Sequence, residues 1–136
     1  MSDGDVFFDT NVVLYLLSGD AARADRAEEL LVLGGTISVQ VLNEFAAVAL
    51  RKLHLSWPEI REVLAPVRAV CTVQSLTLDT HDRAVQLAER HGLSVYDSLI
   101  VAAALLAGCK TLYSEDMQDG QVIERKLTIR NPFKAS

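Results

Sequence analysis

Residues 5–17 read DVFFDTNVVLYLL: an apolar run, Val6-Phe7-Phe8, then Asp9-Thr10-Asn11, then a second apolar run from Val12 to Leu17. Asp5 to Phe8 has the length and bulk of a buried strand, and Asn11 to Leu17 reads as a helix closed by Ser18-Gly19. A strand that leads the chain directly into a helix is the first half of a strand–helix–strand unit, the connection that parallel strands require. Asp9 then stands at the carboxyl end of the first strand. Aspartate also caps helix N-termini well, so the position by itself admits either role.

The alternation continues outward from that stretch. Ala21 to Leu33 predicts a second helix ended by Gly34-Gly35, Thr36 to Val39 a strand, and Gln40 to Leu53 a helix. Ser56 opens the next helix, with Pro58 near its start and Glu59 three residues on, so that serine and glutamate cap each other's backbone. Trp57, Ile60, Val63, Leu64 and Val67 supply its apolar stripe, and Pro66 is expected to end or bend it. Val70 to Leu76 reads as a strand, and Thr80 to His91 as a helix with the stripe Ala84, Val85, Leu87 and Ala88, stopped by Gly92. Val95 to Ala107 is helical and capped by Gly108, Lys110 to Tyr113 is a strand, and Leu127 to Ile129 is a last one. No repeat or linker interrupts the pattern. Residues 1–136 are therefore expected to form one α/β domain, with a mainly parallel sheet, helices on both faces and right-handed connections. Ligands in such sheets bind beyond the carboxyl ends of the strands.

Composition narrows the function. Half of the 136 residues are hydrophobic and 23% are charged, with no low-complexity tract, which excludes a disordered or fibrous chain. A domain of this size hides about two-thirds of the surface of its unfolded form, enough for a core. The longest apolar stretch, Leu99 to Gly108, is too short to cross a bilayer, and Asp3 and Asp5 stand where a secretion signal would carry basic residues. The expected location is the cytoplasm, with no membrane partner. Cys71 and Cys109 lack the spacing of a disulfide framework or zinc site and read as small buried residues. A formal net charge of −5 argues against a broad basic grip on nucleic acid. A divalent cation held by carboxylates would recruit phosphate instead.

Four carboxylates stand where such an ion could be held. Glu44 lies in a helix whose only other polar side chains between Val39 and Leu50 are Gln40 and Asn43, so it is expected to be buried, with Gln40 one turn earlier on the same face. Asp97 ends the capping stretch Ser94-Val95-Tyr96-Asp97, and the uncharged helix it opens, Ser98 to Leu106, belongs in the interior. Asp116 follows the strand Thr111-Leu112-Tyr113 in a polar loop, where Asp119-Gly120 fits a turn. Asp9 and Asp116 thus follow strands, and Glu44 and Asp97 lie near helix starts, so all four are expected to converge on one edge of the sheet. Crowded carboxylates raise one another's pKa unless a cation occupies the cluster. Ligands that are all oxygen favour Mg2+ or Mn2+.

Phe8-Asp9-Thr10-Asn11-Val12-Val13-Leu14, Ile37-Ser38 with Gln40-Val41-Leu42-Asn43-Glu44-Phe45, Tyr96-Asp97-Ser98-Leu99-Ile100-Val101-Ala102-Ala103-Ala104 and Leu112-Tyr113-Ser114-Glu115-Asp116-Met117-Gln118-Asp119-Gly120 lie in register with one family. The chain resembles the PIN-domain nucleases, and among them the VapC-like toxins of bacterial and archaeal toxin–antitoxin pairs, over nearly its whole length. Ile129-Arg130-Asn131-Pro132-Phe133 is similar as well. The resemblance implies a three-layer α/β/α sandwich around a five-stranded, mainly parallel sheet. It further implies Mg2+ or Mn2+ held by Asp9, Glu44, Asp97 and Asp116, which also serve as catalytic residues in hydrolysing RNA. Thr10, Asn11 and Ser114 would support that site, Asp119 would be a further acid, and Glu115 would point outward. The implied partners are the RNA substrate, with transfer RNA as the family-level guess, a cognate antitoxin and a second copy in a homodimer.

Two other readings compete. The same scaffold could bind RNA or a protein without cutting, although the presence of all four acids counts against this. A phosphotransfer domain with an aspartate acceptor also places aspartates at strand ends. Such phosphatases want a second Asp where this chain has Asn11, and a receiver wants a lysine where the residues after Tyr113 are acidic. His54, His81 and His91 show no ligand spacing, and Arg23, Arg26, Arg51 and Lys52 read as solvated helix faces.

Overall fold

The computed structural model describes residues 5–134, so Asp3 lies outside the described residues. Strands β1 (Val6–Phe8), β2 (Gly35–Ser38), β3 (Cys71–Gln74), β4 (Thr111–Tyr113), β5 (Val122–Ile123) and β6 (Leu127–Arg130) form one sheet. The helices are α1 (Thr10–Leu14), α2 (Ala21–Val32), α3 (Val39–Arg51), α4 (Trp57–Val70), α5 (Leu78–His91) and α6 (Val95–Leu106). The strand order is β3-β2-β1-β4-β6-β5, parallel throughout except for β5 against β6. This is the expected α/β sandwich with six strands in place of five.

The first strand, β1, lies in the interior of the sheet. From β1 the chain winds through α1 and α2 to β2, then through α3 and α4 to β3. It then crosses back through α5 and α6 to β4, on the other side of β1. Right-handed crossovers in opposite directions put the two helix groups on opposite faces. Accordingly α5 packs on α6, and α1 to α4 pack on one another. The order reverses between β1 and β4, and a crevice opens beyond their carboxyl ends. The Asp9 amide donates to the Tyr113 carbonyl at 3.0 Å, carrying the β1–β4 ladder one residue past Phe8.

Burial follows the apolar pattern. Phe7, Phe8, Ile37, Leu112 and Ile129 fill the sheet, while Ser98 and Ile100 to Ala104 of α6 are buried and let that helix approach β2 closely. Several expectations are corrected. Pro66 does not end α4, which runs on to Val70. Both Pro66 and Glu62, whose carbonyl loses its i+4 donor there, are exposed, the side of a helix on which a missing bond costs least. Gly35 opens β2 instead of closing α2, and Val39 begins α3, because Ser38 ends the strand and caps the helix at once. β3 spans only Cys71–Gln74, and α5 begins at Leu78 because Thr77 and Thr80 form a reciprocal cap. After Leu14 the expected first helix tightens into a 3₁₀ turn, Tyr15–Leu17. Trp57 and Val85, assigned to apolar stripes, are 55% and 51% exposed.

Candidate active site

Asp9 lies where the first strand hands over to the first helix. It is the N-cap of α1, with Oδ1 accepting from the Thr10 amide at 2.7 Å, and its Oδ2 accepts from the Ser114 hydroxyl at 2.8 Å. Ser114 is fully buried at the end of β4 and also accepts from the Met117 amide, so one hydroxyl ties the loop after β4 to the end of β1. Asp9 is only 6% exposed. Burial above all pushes its carboxyl up to about 6, and the charges of Asp97 and Asp116 push the same way against the Ser114 and Thr10 hydrogen bonds.

Asp97 and Asp116 complete a triangle of like charges. Burial and then the Asp116 charge raise the Asp97 carboxyl above its ordinary value, opposed by the Ser94 hydroxyl. Ser94 caps α6 by accepting from the Asp97 amide at 3.1 Å. Asn11 bridges the aspartates: its Nδ2 donates to Asp116 at 3.1 Å and to Asp9 at 3.5 Å, while its Oδ1 accepts from the Glu115 amide at 3.3 Å.

Glu44 is half-buried rather than buried. Gln40, Asn43 and Glu44 are spaced i, i+3 and i+4, so they form one polar stripe on an otherwise apolar helix. The Glu44 Oε1 accepts from Gln40 Nε2 at 2.8 Å and from Thr10 Oγ1 at 3.4 Å, which links it to the residue after Asp9. Asp119 is not drawn into this group. Its carboxylate accepts from the Asn131 amide at 2.9 Å and lies 3.6 Å from Lys134, and the Asn131 contact holds its pKa below the ordinary value.

The sequence reading gave Glu115 and Arg23 no part, yet they brace the loop that carries Asp116. The Glu115 carboxylate turns to the Tyr15 hydroxyl and the Arg23 guanidinium. Against burial, which pushes it up, these two partners hold its carboxyl below the usual range. Arg23 also lies over the rings of Tyr15 and Phe133, at 5.0 Å and 5.5 Å. The one sequence signal for this cluster is an acid beside a candidate ligand, with aromatic residues distant in the chain. A cleft of about 300 Å3, walled by Leu14, Leu17, Val48 and Leu53, adjoins the aspartates and shares Asn11 and Asp116 with them.

The donors fit a hard divalent cation. They are all oxygen, and a cation would reverse the penalty that burial and like charge place on ionised Asp9. Among the described residues no three or more His, Cys, Asp or Glu side chains are gathered into a group that could hold a metal ion as a ready-made site. Mg2+ does not require one, since it keeps several waters and binds through one or two carboxylates with substrate phosphate.

Known proteins agree with this architecture. A toxin–antitoxin complex from Klebsiella pneumoniae is similar with a TM-score of 0.71 and 22% identity, over 96% of this chain and 99% of that one. VapC20 of Mycobacterium tuberculosis, described as a Sarcin-Ricin loop cleaving toxin, gives a TM-score of 0.66 and 24% identity over 82% and 89% of the two chains. VapBC2 of Rickettsia felis, solved with a DNA fragment from its promoter, gives 0.66 and 19% identity over 93% and 97%. At such identities the likeness is one of fold. No curated protein matches the chain. The family model for the PIN domain, however, matches residues 6–119, from the first residue of β1 through the loop bearing Asp116, and the chain belongs to that family.

Proposed function

We propose that this protein is a metal-dependent endoribonuclease, a single catalytic domain acting as the toxin of a toxin–antitoxin pair. The observation that carries the reading is the convergence of Asp9, Asp97 and Asp116 at the mouth between β1 and β4, where Asp97 and Asp116 both raise the pKa of Asp9 and Asp116 raises that of Asp97. With Glu44 at the edge, these carboxylates would hold Mg2+ or Mn2+, which when bound supplies charge neutralisation at phosphate and acidifies water. The protein's own residues do the orienting. Both oxygens of Asp9 are held, Oδ1 by the Thr10 amide and Oδ2 by the Ser114 hydroxyl and, at 3.5 Å, the Asn11 side-chain amide, and Oδ1 keeps a further acceptor site. Asn11 keeps Asp116 in line with Asp9, and the brace of Arg23 and Tyr15 keeps Glu115 turned away from them.

RNA is the proposed substrate, with a structured RNA such as transfer RNA or ribosomal RNA as target, the latter by analogy with the loop-cleaving VapC20. A cytoplasmic site of action belongs to the same proposal; among the described residues no helix is long and apolar enough to cross a membrane. The likeness to toxin–antitoxin complexes supports a cognate antitoxin as partner, and a homodimer is proposed beside it on the family resemblance alone. Cleavage mapping on total cellular RNA tests the reading. Discrete cuts are expected with Mg2+ or Mn2+ and none with a chelator or in Asp97→Asn, and an Asp97→Asn protein that cut at the parental rate would refute it.

A further inference from the structure

Gln40 stands in the first turn of α3, is 5% exposed, and touches two parts of the site at once. Its Nε2 donates to Glu44 Oε1 at 2.8 Å and to the backbone carbonyl of Tyr96 at 3.1 Å, next to Asp97. Its Oε1 is buried and has no hydrogen-bond partner among the described residues. Flipping the amide would set that oxygen against a carboxylate and a carbonyl, so the two acceptors dictate its orientation. A buried acceptor without a partner weakens the fold, and a methionine would fill the same space without that penalty. What the amide provides in exchange is a pair of N–H bonds spanning α3 and α6. The other partner of the Glu44 carboxylate, Thr10 Oγ1, is more distant at 3.4 Å.

We propose that Gln40 is a positioning residue: its side-chain amide fixes the Glu44 carboxylate against the first turn of α6 and so sets the spacing of Glu44 and Asp97. Gln40 touches neither metal nor RNA in this role, which rests on the metal-dependent reading above. Partners that orient a metal-binding carboxylate govern affinity for the ion, and their removal weakens it by about 10–100-fold.

The test compares the full chain with Gln40→Met, Glu44→Gln and the double variant, using Mn2+ calorimetry, thermal unfolding without metal, and the carboxyl 13C resonance of Glu44. Gln40→Met is expected to keep the metal-free midpoint, to weaken Mn2+ binding by about 10–100-fold, and to add no further loss in the Glu44→Gln background. Parental Mn2+ affinity in Gln40→Met, or an equal loss in both backgrounds, would overturn the role. If Gln40→Met fails to fold, Gln40→Leu gives up both N–H bonds without adding charge and carries the same comparison. A parent protein that binds no Mn2+ refutes the nuclease reading instead. The Glu44 resonance of the metal-free protein then decides: it moves on Gln40→Met if the amide holds the carboxylate, and an unmoved resonance overturns the proposal.

Discussion

Asp9 shows how the fold alters the chemistry of a single carboxyl group. Its carboxyl rises from 3.8 to about 6 on folding, chiefly through burial. Because the folded value is the higher one, the protonated group favours the fold below about pH 4, and that contribution is lost as pH rises through about 6. At about pH 7.5 the ionised carboxylate should therefore cost the metal-free protein up to about 3 kcal/mol. Asp9→Asn is expected to be more stable than the parent by about 1–3 kcal/mol near pH 7.5, and no more stable near pH 4, while losing RNA cleavage. Urea unfolding at the two pH values measures this, and equal stabilities at both would mean that ionised Asp9 carries no penalty. Proton and cation compete for the same oxygens, so Mn2+ affinity in the parent should fall as pH drops below about 6, which calorimetry across that range would detect. Asp9, Asp97 and Asp116 could be named from sequence because each follows a strand or opens an uncharged helix. The half-exposed state of Glu44 and the outward engagement of Asp119 could not, because they depend on which neighbours arrive from elsewhere in the chain.

At the scale of elements, the loop after β4 illustrates what local sequence leaves open. Ser114-Glu115-Asp116 reads as a polar turn, yet it is held by Asp9 and Asn11 from the start of the chain, by Tyr15, and by Arg23 of α2. Arg23→Ala should free Glu115 and loosen the loop. Faster hydrogen exchange at the Glu115 and Met117 amides and several-fold slower RNA cleavage are expected, with little change in global stability, since Arg23 is partly solvated. Unchanged exchange would show that the ion pair does not hold the loop. Strand β5 was missed for a comparable reason. Two residues carry no periodicity, and the turn that pairs β5 with β6 places Glu124 and Arg125 at φ 55° and 60°, where Asn-Gly would have signalled it. Helix α4 passing through Pro66 is the converse: a strong local breaker tolerated on the exposed side of a helix that packs through Ile60 and Val67.

Across the whole molecule, the site exists because the sheet is wound outward in both directions from β1. Close approach of β1 and β2 is part of that frame. A Cβ at Gly35 would sit 2.6 Å from Phe8 Cε2 and 3.0 Å from the Val6 carbonyl oxygen. Gly35→Ala should therefore destabilise the protein by about 1–3 kcal/mol through overpacking at the centre of the sheet. A thermal midpoint equal to the parent's would show that the strands can part without penalty. The amino-acid sequence by itself determined the α/β class, the succession of helices with the caps at Ser56, Ser94 and Gly92, and the residues worth testing, since these follow from apolar periodicity and from polar groups at element ends. Tertiary structure alone decided the strand order, the sixth strand, and the bonds from Gln40 to α6 and from Arg23 to the β4 loop. Those contacts join residues dozens of positions apart, and their geometry depends on packing that no short stretch of chain encodes.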